Sequence, residues 1–251
     1  MYHLVKGLYH YATQKEGEVL ATIFRFLSCF FSLKLSYLYN HNTVETNSYS
    51  EVVNLEYSVL LLGLDNAGKT TFHEQVKYLF LPHTPSPKLK TVPTVGQNVS
   101  TITLPDMYLK LWDVGGQQSL RKLWKSYYQS CHAIIFLIDS TEIGDGHLEH
   151  DESGRLEECR LALEEVLVNG ESDGVPLLIL ANKQDREDCV EVVRIKEGFV
   201  KHVFEGAMGG AIRDSRVLPV SALKGTGVRE AVEWVRSRVL WNKEGRPPVM
   251  R

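Results

Sequence analysis

A chain of 251 residues with 43% hydrophobic and 24% charged residues can bury one substantial core. Its formal net charge of -3 gives no sign of the basic surface that nucleic-acid-binding domains present, so we expect no nucleic-acid partner. The four cysteines are widely scattered and share no metal-ligand or redox spacing, which indicates reduced cysteines in a cytoplasmic protein.

The first sixteen residues have the pattern of an amphipathic helix. Leu4, Val5, Leu8, Tyr11 and Ala12 fall on one helical face, which suits a membrane interface. The alternative is a helix that stays packed on the folded domain, because amphipathic helices commonly face a core.

Residues 17–56 form an unusual insertion. The apolar run from Val19 to Tyr39 is interrupted by Arg25 and Lys34, and a membrane span normally has about twenty apolar residues with few or no charges. One interpretation is an added membrane-contacting segment. The favoured interpretation is a segment that is disordered or not part of the working protein, since a long connection without structural signals is unusual in a compact domain.

From Tyr57 onward, strand and helix patterns alternate, which predicts an α/β fold with a mostly parallel sheet and helices on both faces. Pro105-Asp106 is predicted to be the turn of a hairpin. Residues 205–216 are predicted to be a connection without regular structure. The six predicted strands are 57–63, 99–104, 108–114, 133–140, 175–183 and 217–223. Ligands of such sheets bind at the carboxyl ends of the strands, so the candidate site is sought there.

The stretch from Gly63 to Thr70 matches G-x-x-x-x-G-K-[ST] and stands between a predicted strand and a predicted helix. Its backbone N–H groups would surround a phosphate, and the helix that begins near Lys69 would direct its positive end at the same anion. Lys69 would contact the β- and γ-phosphates, and Thr70 would give its hydroxyl to Mg²⁺. The nucleotide-binding residues predicted here are Asp65, Asn66, Ala67, Gly68, Lys69, Thr70 and Thr71.

The tetrapeptide N-K-Q-D follows a buried strand and selects the base. The Asp185 carboxylate can accept two hydrogen bonds from the N1–H and 2-amino groups of guanine, whereas adenine offers neither donor. Asn182 would contact the base edge and brace the phosphate loop, and the stem of Lys183 would pack over the base. In the last predicted strand, Ser221 belongs to the same site and the Ala222 N–H is placed to meet guanine O6.

Two further segments are predicted to sense the γ-phosphate. Asp113, in W-D-V-G-G-Q, would hold Mg²⁺ through water, and Thr94 would supply a second hydroxyl to the metal beside that of Thr70. The Gly116 N–H would reach the γ-phosphate, and Gln117 would orient the attacking water as the catalytic residue. Both segments would be ordered by the γ-phosphate and released without it.

Together, GLDNAGKTT, PTVGQN, WDVGGQQSLRKLWKSYY, NKQD and SAL resemble the Arf family of small GTPases, and the Met-Tyr start resembles its Arf-related branch. The resemblance implies a P-loop small GTPase fold over residues 57–241, with a tail at 242–251. It implies slow hydrolysis of GTP to GDP and phosphate, with Mg²⁺ as cofactor and GTP or GDP as bound nucleotide.

The resemblance also implies partners and a location. The partners are a guanine-nucleotide exchange factor, a GTPase-activating protein and Golgi effectors. The N-terminal helix would bind a membrane surface when GTP is bound. The protein would be a cytoplasmic monomer that cycles onto trans-Golgi membranes in vesicle-mediated transport.

The sequence departs from the family pattern in three places. Position 2 is Tyr2 rather than glycine, so N-myristoylation is chemically impossible, and the Arf-related branch is associated with N-terminal acetylation instead. Gln97 stands where Arf proteins usually place a phenylalanine beside the residues that match Trp112 and Tyr127. The insertion at 17–56 stands where family members pass almost directly from the helix to the first strand.

Two other functions compete with a hydrolysing switch. The first is a GTP-dependent membrane recruitment module with negligible hydrolysis. Substitution of Gln117 by leucine would slow GTP turnover in a hydrolysing switch but not in such a module. The second is a P-loop kinase or ATPase, which the base selection at Asp185 argues against.

Overall fold

The computed structural model describes residues 55–87, 92–143, 154–208 and 214–251. The predicted helix at 1–16 and most of the insertion at 17–56 lie outside the described residues, and those two predictions stay untested. Leu55 and Glu56 belong to the first strand, two residues before the predicted domain boundary. Within the described ranges, every helix is too short or too polar to cross a membrane.

Strands and helices alternate along the described chain. The strands are β1 (Leu55–Leu62), β2 (Gln97–Leu104), β3 (Met107–Val114), β4 (Ala133–Asp139), β5 (Leu177–Asn182), β6 (Ser215–Pro219) and β7 (Val249–Met250). The α-helices are α1 (Lys69–Phe80), α2 (Lys125–Tyr128), α3 (Arg155–Val168), α4 (Val192–Arg194), α5 (Lys201–Met208) and α6 (Val228–Trp241). Short 3₁₀ helices cover Gln118–Leu123 and Gly170–Ser172, and a π-helical stretch covers Ile195–Val200.

The strands form one mixed sheet in the order β2-β3-β1-β4-β5-β6. β1 is parallel to β3 and β4, and the pairs β4–β5 and β5–β6 are also parallel. β2 and β3 are antiparallel and are joined by a turn at Pro105 and Asp106, as predicted. The mostly parallel α/β fold is therefore confirmed, with strands at six predicted places. The last prediction, 217–223, was wrong in its bounds, because β6 ends at Pro219 and Ser221 and Ala222 follow it. β7 is a seventh strand that the sequence pattern did not indicate.

Two hydrophobic layers cover the two faces of the sheet. Along β1, Val59 and Leu61 point into one layer, and Leu60 and Leu62 point into the other, as the alternation of side chains in a strand requires. Helices α1 and α6 complete the first layer, and α3 with the 195–203 region completes the second. The apolar faces of two helices are buried: Leu156, Cys159, Leu163, Val166 and Leu167 in α3, and Val228, Ala231, Val232, Val235 and Val239 in α6.

The connection predicted at 205–216 is shorter than expected. Helix α5 continues to Met208, and β6 begins at Ser215. The prediction was wrong at both ends, because burial of Val203 against the second layer supports the helix, and Ser215 and Arg216 pair with β5.

The last ten residues pack against the domain. β7 pairs antiparallel with Leu55 and Glu56 at the start of β1. The buried His132 ring links these parts, because its Nδ1 accepts from the Ser58 N–H at 2.9 Å and its Nε2 lies 2.9 Å from the Pro247 carbonyl. The Arg246 guanidinium donates to the carbonyls of Tyr128, Gln129, Cys131, Glu171 and Asp173.

Candidate nucleotide site

A cavity of about 570 Å³ opens at the carboxyl ends of the parallel strands, where the sequence predicted a ligand. Most of the nucleotide-binding residues predicted from the sequence line this cavity: Asp65, Asn66, Gly68, Lys69, Thr70, Thr71, Thr94, Gly116, Gln117, Asn182, Lys183, Asp185 and Ala222. Sequence reasoning missed Val92, Pro93, Arg186 and Leu223 as lining residues, although each adjoins or belongs to a motif that it used. Three predicted residues, Ala67, Asp113 and Ser221, lie behind the lining and contact residues in it.

The phosphate loop between β1 and α1 depends on two close backbone approaches. A Cβ on Gly63 would lie 2.3 Å from the Leu137 carbonyl oxygen, and a Cβ on Gly68 would lie 2.3 Å from Asn182 Nδ2. Both glycines also have positive φ, 130° and 90°, which side chains with a Cβ rarely adopt. The loop is thus confined between β4 and the N-K-Q-D segment.

Lys69 lies across the inside of this loop. The ammonium is nearly buried, and it donates to the Gly63 carbonyl at 3.0 Å and to the Leu64 carbonyl at 2.7 Å. Burial lowers the pKa of Lys69 to about 8, and the nearby Asp113 carboxylate opposes that shift. A cation whose hydrogen-bond partners within the described part of the chain are these two carbonyl groups is well suited to exchange them for phosphate oxygens.

The three predicted metal ligands converge. Thr70 Oγ1 lies 2.8 Å from Thr94 Oγ1 and donates to Asp113 Oδ2 at 2.8 Å. Asn98 Nδ2 also donates to Asp113 Oδ2, at 3.2 Å. The other oxygen of this fully buried carboxylate, Oδ1, has no hydrogen-bond partner among the described residues. A buried carboxylate oxygen beside two hydroxyls fits Mg²⁺, which prefers oxygen ligands and keeps several of its waters.

This site differs from a dedicated metal cage. The described residues contain no group of three or more His, Cys, Asp or Glu side chains with metal-binding geometry. Mg²⁺ at Thr70, Thr94 and Asp113 would therefore depend on water and phosphate oxygens to complete its coordination.

The base end of the cavity is organised by Asn182, which is 2% exposed. Its Nδ2 donates to the Ala67 carbonyl at 2.8 Å, so Asn182 braces the phosphate loop in the predicted way. Its Oδ1 accepts from the Ala222 N–H at 2.9 Å, so that amide already has a partner and its predicted contact with guanine O6 stays a prediction. Ser221 donates to Asp185 Oδ1 at 2.6 Å and fixes the carboxylate that would read the base.

Lys183 and Asp139 form an ion pair at the same end. Lys183 has a left-handed φ of 66°, and its ammonium pairs with the nearly buried Asp139 carboxylate. Its stem lines the cavity beside Asp185, where it could cover one face of a base.

The segment after β3 lies against the phosphate loop. The Gly115 N–H donates to the Gly96 carbonyl at 3.0 Å, which connects this segment to the loop that carries Thr94. Gln117 is exposed and lines the cavity, as a residue that positions water would. Outside the cavity, the rings of Trp112 and Tyr127 lie 5.6 Å apart, and the Tyr127 hydroxyl donates to the Gln97 amide oxygen.

Comparison with known proteins agrees with this geometry. Residues 44–239 match the family described as "Arf: ADP-ribosylation factor family". The match begins inside the predicted insertion at 17–56. The chain is similar to ADP-ribosylation factor-like protein 3 of Saccharomyces cerevisiae, with 42% identity over all of both chains. It is similar to ADP-ribosylation factor-related protein 1 of Bos taurus, with 44% identity over 78% of this chain and 90% of that protein.

A solved structure shows the same fold. The small GTPase Arl6 (BBS3) of Trypanosoma brucei, solved with the nucleotide analogue GppNp, superposes with a TM-score of 0.58 and 27% identity. The superposition covers 74% of this chain and 98% of that one. The chain therefore belongs to the ADP-ribosylation factor family of small GTPases, and it is a GTP-binding switch that hydrolyses GTP.

Proposed function

We propose that this GTPase recruits effectors to Golgi membranes during vesicle-mediated and protein transport, under the control of the γ-phosphate of GTP. One observation carries the proposal. Thr94, from the loop before β2, and Gly116 and Gln117, from the segment after β3, line the same cavity as the phosphate loop. A terminal phosphate in that cavity would therefore contact both segments at once, and its loss would release both.

The metal site would connect one of these segments to the nucleotide. Mg²⁺, when bound, would neutralise the developing charge on the phosphate oxygens. Thr70 supplies one hydroxyl at the start of α1, and the buried Asp113 carboxylate orients it. Thr94 brings the second hydroxyl to within 2.8 Å of the first. Thr94 leaves this cluster only if its loop moves, because the other two residues lie on α1 and β3.

Hydrolysis requires a positioned water and charge compensation. Gln117 offers both an amide donor and an acceptor at the cavity surface, so it can orient a water for attack on the γ-phosphate. Lys69 supplies positive charge and the Gly116 N–H supplies a neutral donor on the same phosphate. An activating protein would complete this arrangement, because small GTPases turn over slowly without one.

Asp185 would confine the site to guanine nucleotides. Its carboxylate accepts a hydrogen bond from Ser221, which orients it at the base end of the cavity. A carboxylate that adenine leaves unpaired can favour guanine over adenine nucleotides by roughly 10⁴-fold. GTP and GDP would thus compete for the site with little interference from ATP.

The membrane part of the proposal depends on the sequence. The apolar face predicted within residues 1–16 suits the surface of a bilayer. We propose a cytoplasmic monomer that cycles onto trans-Golgi membranes and works with an exchange factor, a GTPase-activating protein and Golgi effectors. Gln97 beside Tyr127 gives the surface near Trp112 a polar group, so the effectors need not be those of other Arf proteins.

Liposome co-sedimentation tests the proposal. The full chain is loaded with GDP or with a non-hydrolysable GTP analogue and mixed with liposomes of Golgi lipid composition. We expect sedimentation with the analogue, little with GDP, and little in either state when residues 1–16 are removed. Equal sedimentation in both nucleotide states would contradict control by the γ-phosphate, and loss of the difference only in the shortened chain would assign it to residues 1–16.

A further inference from the structure

A charged bridge connects the phosphate loop to the segment that carries Gly116. Its three residues are Arg155 and Glu158 on α3 and Arg121 in the 3₁₀ helix after β3. No sequence motif pointed to Arg155 or Glu158. Their hydrogen bonds connect Asp65 in the phosphate loop to Gly116, and this connection is the reason for their importance.

Arg155 holds the phosphate loop. Its Nη2 donates to the Asp65 carbonyl at 2.8 Å, and its Nη1 donates to the Asp65 carboxylate at 3.1 Å. Its Nε donates to Glu142 at 3.0 Å. The Arg155 side chain is only 22% exposed, so these bonds are partly shielded from water. The guanidinium therefore fixes both the backbone and the side chain of one loop residue.

Arg121 holds the other end of the bridge. Its side chain is 10% exposed, and its Nε donates to the Gly116 carbonyl at 2.8 Å. Beside it, the Trp124 indole donates to the Gly115 carbonyl at 3.1 Å. In a planar trans peptide the N–H points away from the C=O, so these two bonds set the directions of the Gly116 and Gln117 N–H groups.

Glu158 joins the two arginines. One carboxylate oxygen accepts from Arg155 Nη1 at 2.6 Å, and the other accepts from Arg121 Nη2 at 2.5 Å. The two arginines thus share the Glu158 carboxylate. The two ion pairs of Glu158 therefore complete a chain of hydrogen bonds from Asp65 to the Gly116 carbonyl.

Direct packing makes this connection stiff. A Cβ on Gly116 would lie 2.4 Å from Lys69 Nζ and 2.5 Å from the Gly63 carbonyl oxygen. Gly116 therefore touches the phosphate loop on one side while Arg121 holds its carbonyl on the other.

We infer that Glu158 is a positioning residue, which couples occupancy of the phosphate loop to the orientation of the Gly116–Gln117 backbone through Arg155 and Arg121. The inference rests on the proposed contact between the γ-phosphate and the N–H of Gly116, the residue whose carbonyl Arg121 holds. Glu158 touches no nucleotide. Its effect is expected in the preference for GTP over GDP, because the β-phosphate sites remain intact without it.

Glu158→Gln tests the inference in the full chain. The amide has nearly the size of the carboxylate but only one acceptor oxygen, so its NH₂ group faces one of the two arginines. We expect the ratio of GTP-analogue affinity to GDP affinity to fall about tenfold, within the range of coupling between sites. The control is Glu164→Gln on the same helix, with similar exposure (27% against 28%) and its ion pair directed to Arg160. It should leave the ratio unchanged.

Arg121→Met, alone and combined with Glu158→Gln, separates coupling from destabilisation. If the two residues act as one unit, the double variant loses little more than Arg121→Met alone. Equal losses of GDP and analogue affinity in Glu158→Gln would overturn the inference, and so would an unchanged ratio. If Glu158→Gln does not fold, Arg121→Met, which leaves the bonds from Arg155 to Asp65 in place, takes its role and must show the same selective loss. Failure of the unmodified chain to bind the analogue would instead refute the proposed function and, with it, this inference.

Discussion

Gly68→Ala should show how strongly the nucleotide site and the fold depend on one close contact. The added methyl would lie 2.3 Å from Asn182 Nδ2, on a residue with φ of 90°. Asn182 is nearly buried and cannot move without losing its bonds to Ala67 and Ala222. Two such bonds contribute about 1 kcal/mol each, and a left-handed conformation costs an alanine roughly 1–2 kcal/mol. The expected loss is therefore about 3–4 kcal/mol.

Thermal unfolding at saturating GDP and Mg²⁺ measures this loss. In a domain of this size a loss of 3–4 kcal/mol corresponds to roughly a 10 °C lower melting temperature. Gly174→Ala is the matched control, because Gly174 also has positive φ (68°) but a Cβ there would meet nothing within 4 Å. It should lose only about 1–2 kcal/mol from backbone conformation. Equal melting temperatures for the two variants would refute the contact between Gly68 and Asn182.

Three further predictions concern the nucleotide itself. Burial gives Lys69 a pKa of about 8, and bound phosphate should raise it, so binding takes up a proton and GDP affinity should fall as pH rises from 8 to 10. Thr70→Asn removes the hydroxyl that lies 2.8 Å from Asp113 and should reduce binding of a GTP analogue with Mg²⁺ more than binding of GDP. Asp185→Asn should weaken GDP binding about a hundredfold and shift preference toward xanthine nucleotides, whose C2 oxygen can accept from the amide.

Equilibrium titration with fluorescent nucleotides measures all three effects. A pH profile that is identical in Lys69→Met and in the unmodified chain would show that another group takes up the proton. Normal Mg²⁺-dependent analogue binding by Thr70→Asn would contradict the proposed metal site. Unchanged GDP affinity in Asp185→Asn would remove the argument for guanine selection.

The sequence predicted the framework of this fold well because its signals are local. The central strands β4 and β5 are fully buried apolar runs that end at loops, and the helix faces of α3 and α6 follow the helical period. The positions of Asn182, Lys69 and Thr70 followed from motifs whose spacing is itself set by the phosphate loop. Sequence reasoning could therefore place these residues in one cavity.

Other features depend on partners that are distant in the chain. Arg155 meets Asp65 across 90 residues, and no local pattern distinguishes it from a surface arginine. β7 has only two residues, and both are exposed. It forms because β4 pairs with β1 only from Val59 onward, so that β7 can pair with Leu55 and Glu56 on that side. The Gln97–Tyr127 hydrogen bond likewise joins residues 30 positions apart.

The packing of the final residues has a practical consequence for labelling. The Arg251 guanidinium lies 4.7 Å from the centre of the Tyr108 ring, and the neighbouring Met250 pairs with Leu55. A fluorescent protein fused directly to this position would crowd the edge of the sheet, and removing the last few residues would leave Leu55 and Glu56 with an unpaired strand edge that invites association between molecules. Reporters are better attached through a spacer, or at an exposed side chain such as Lys243.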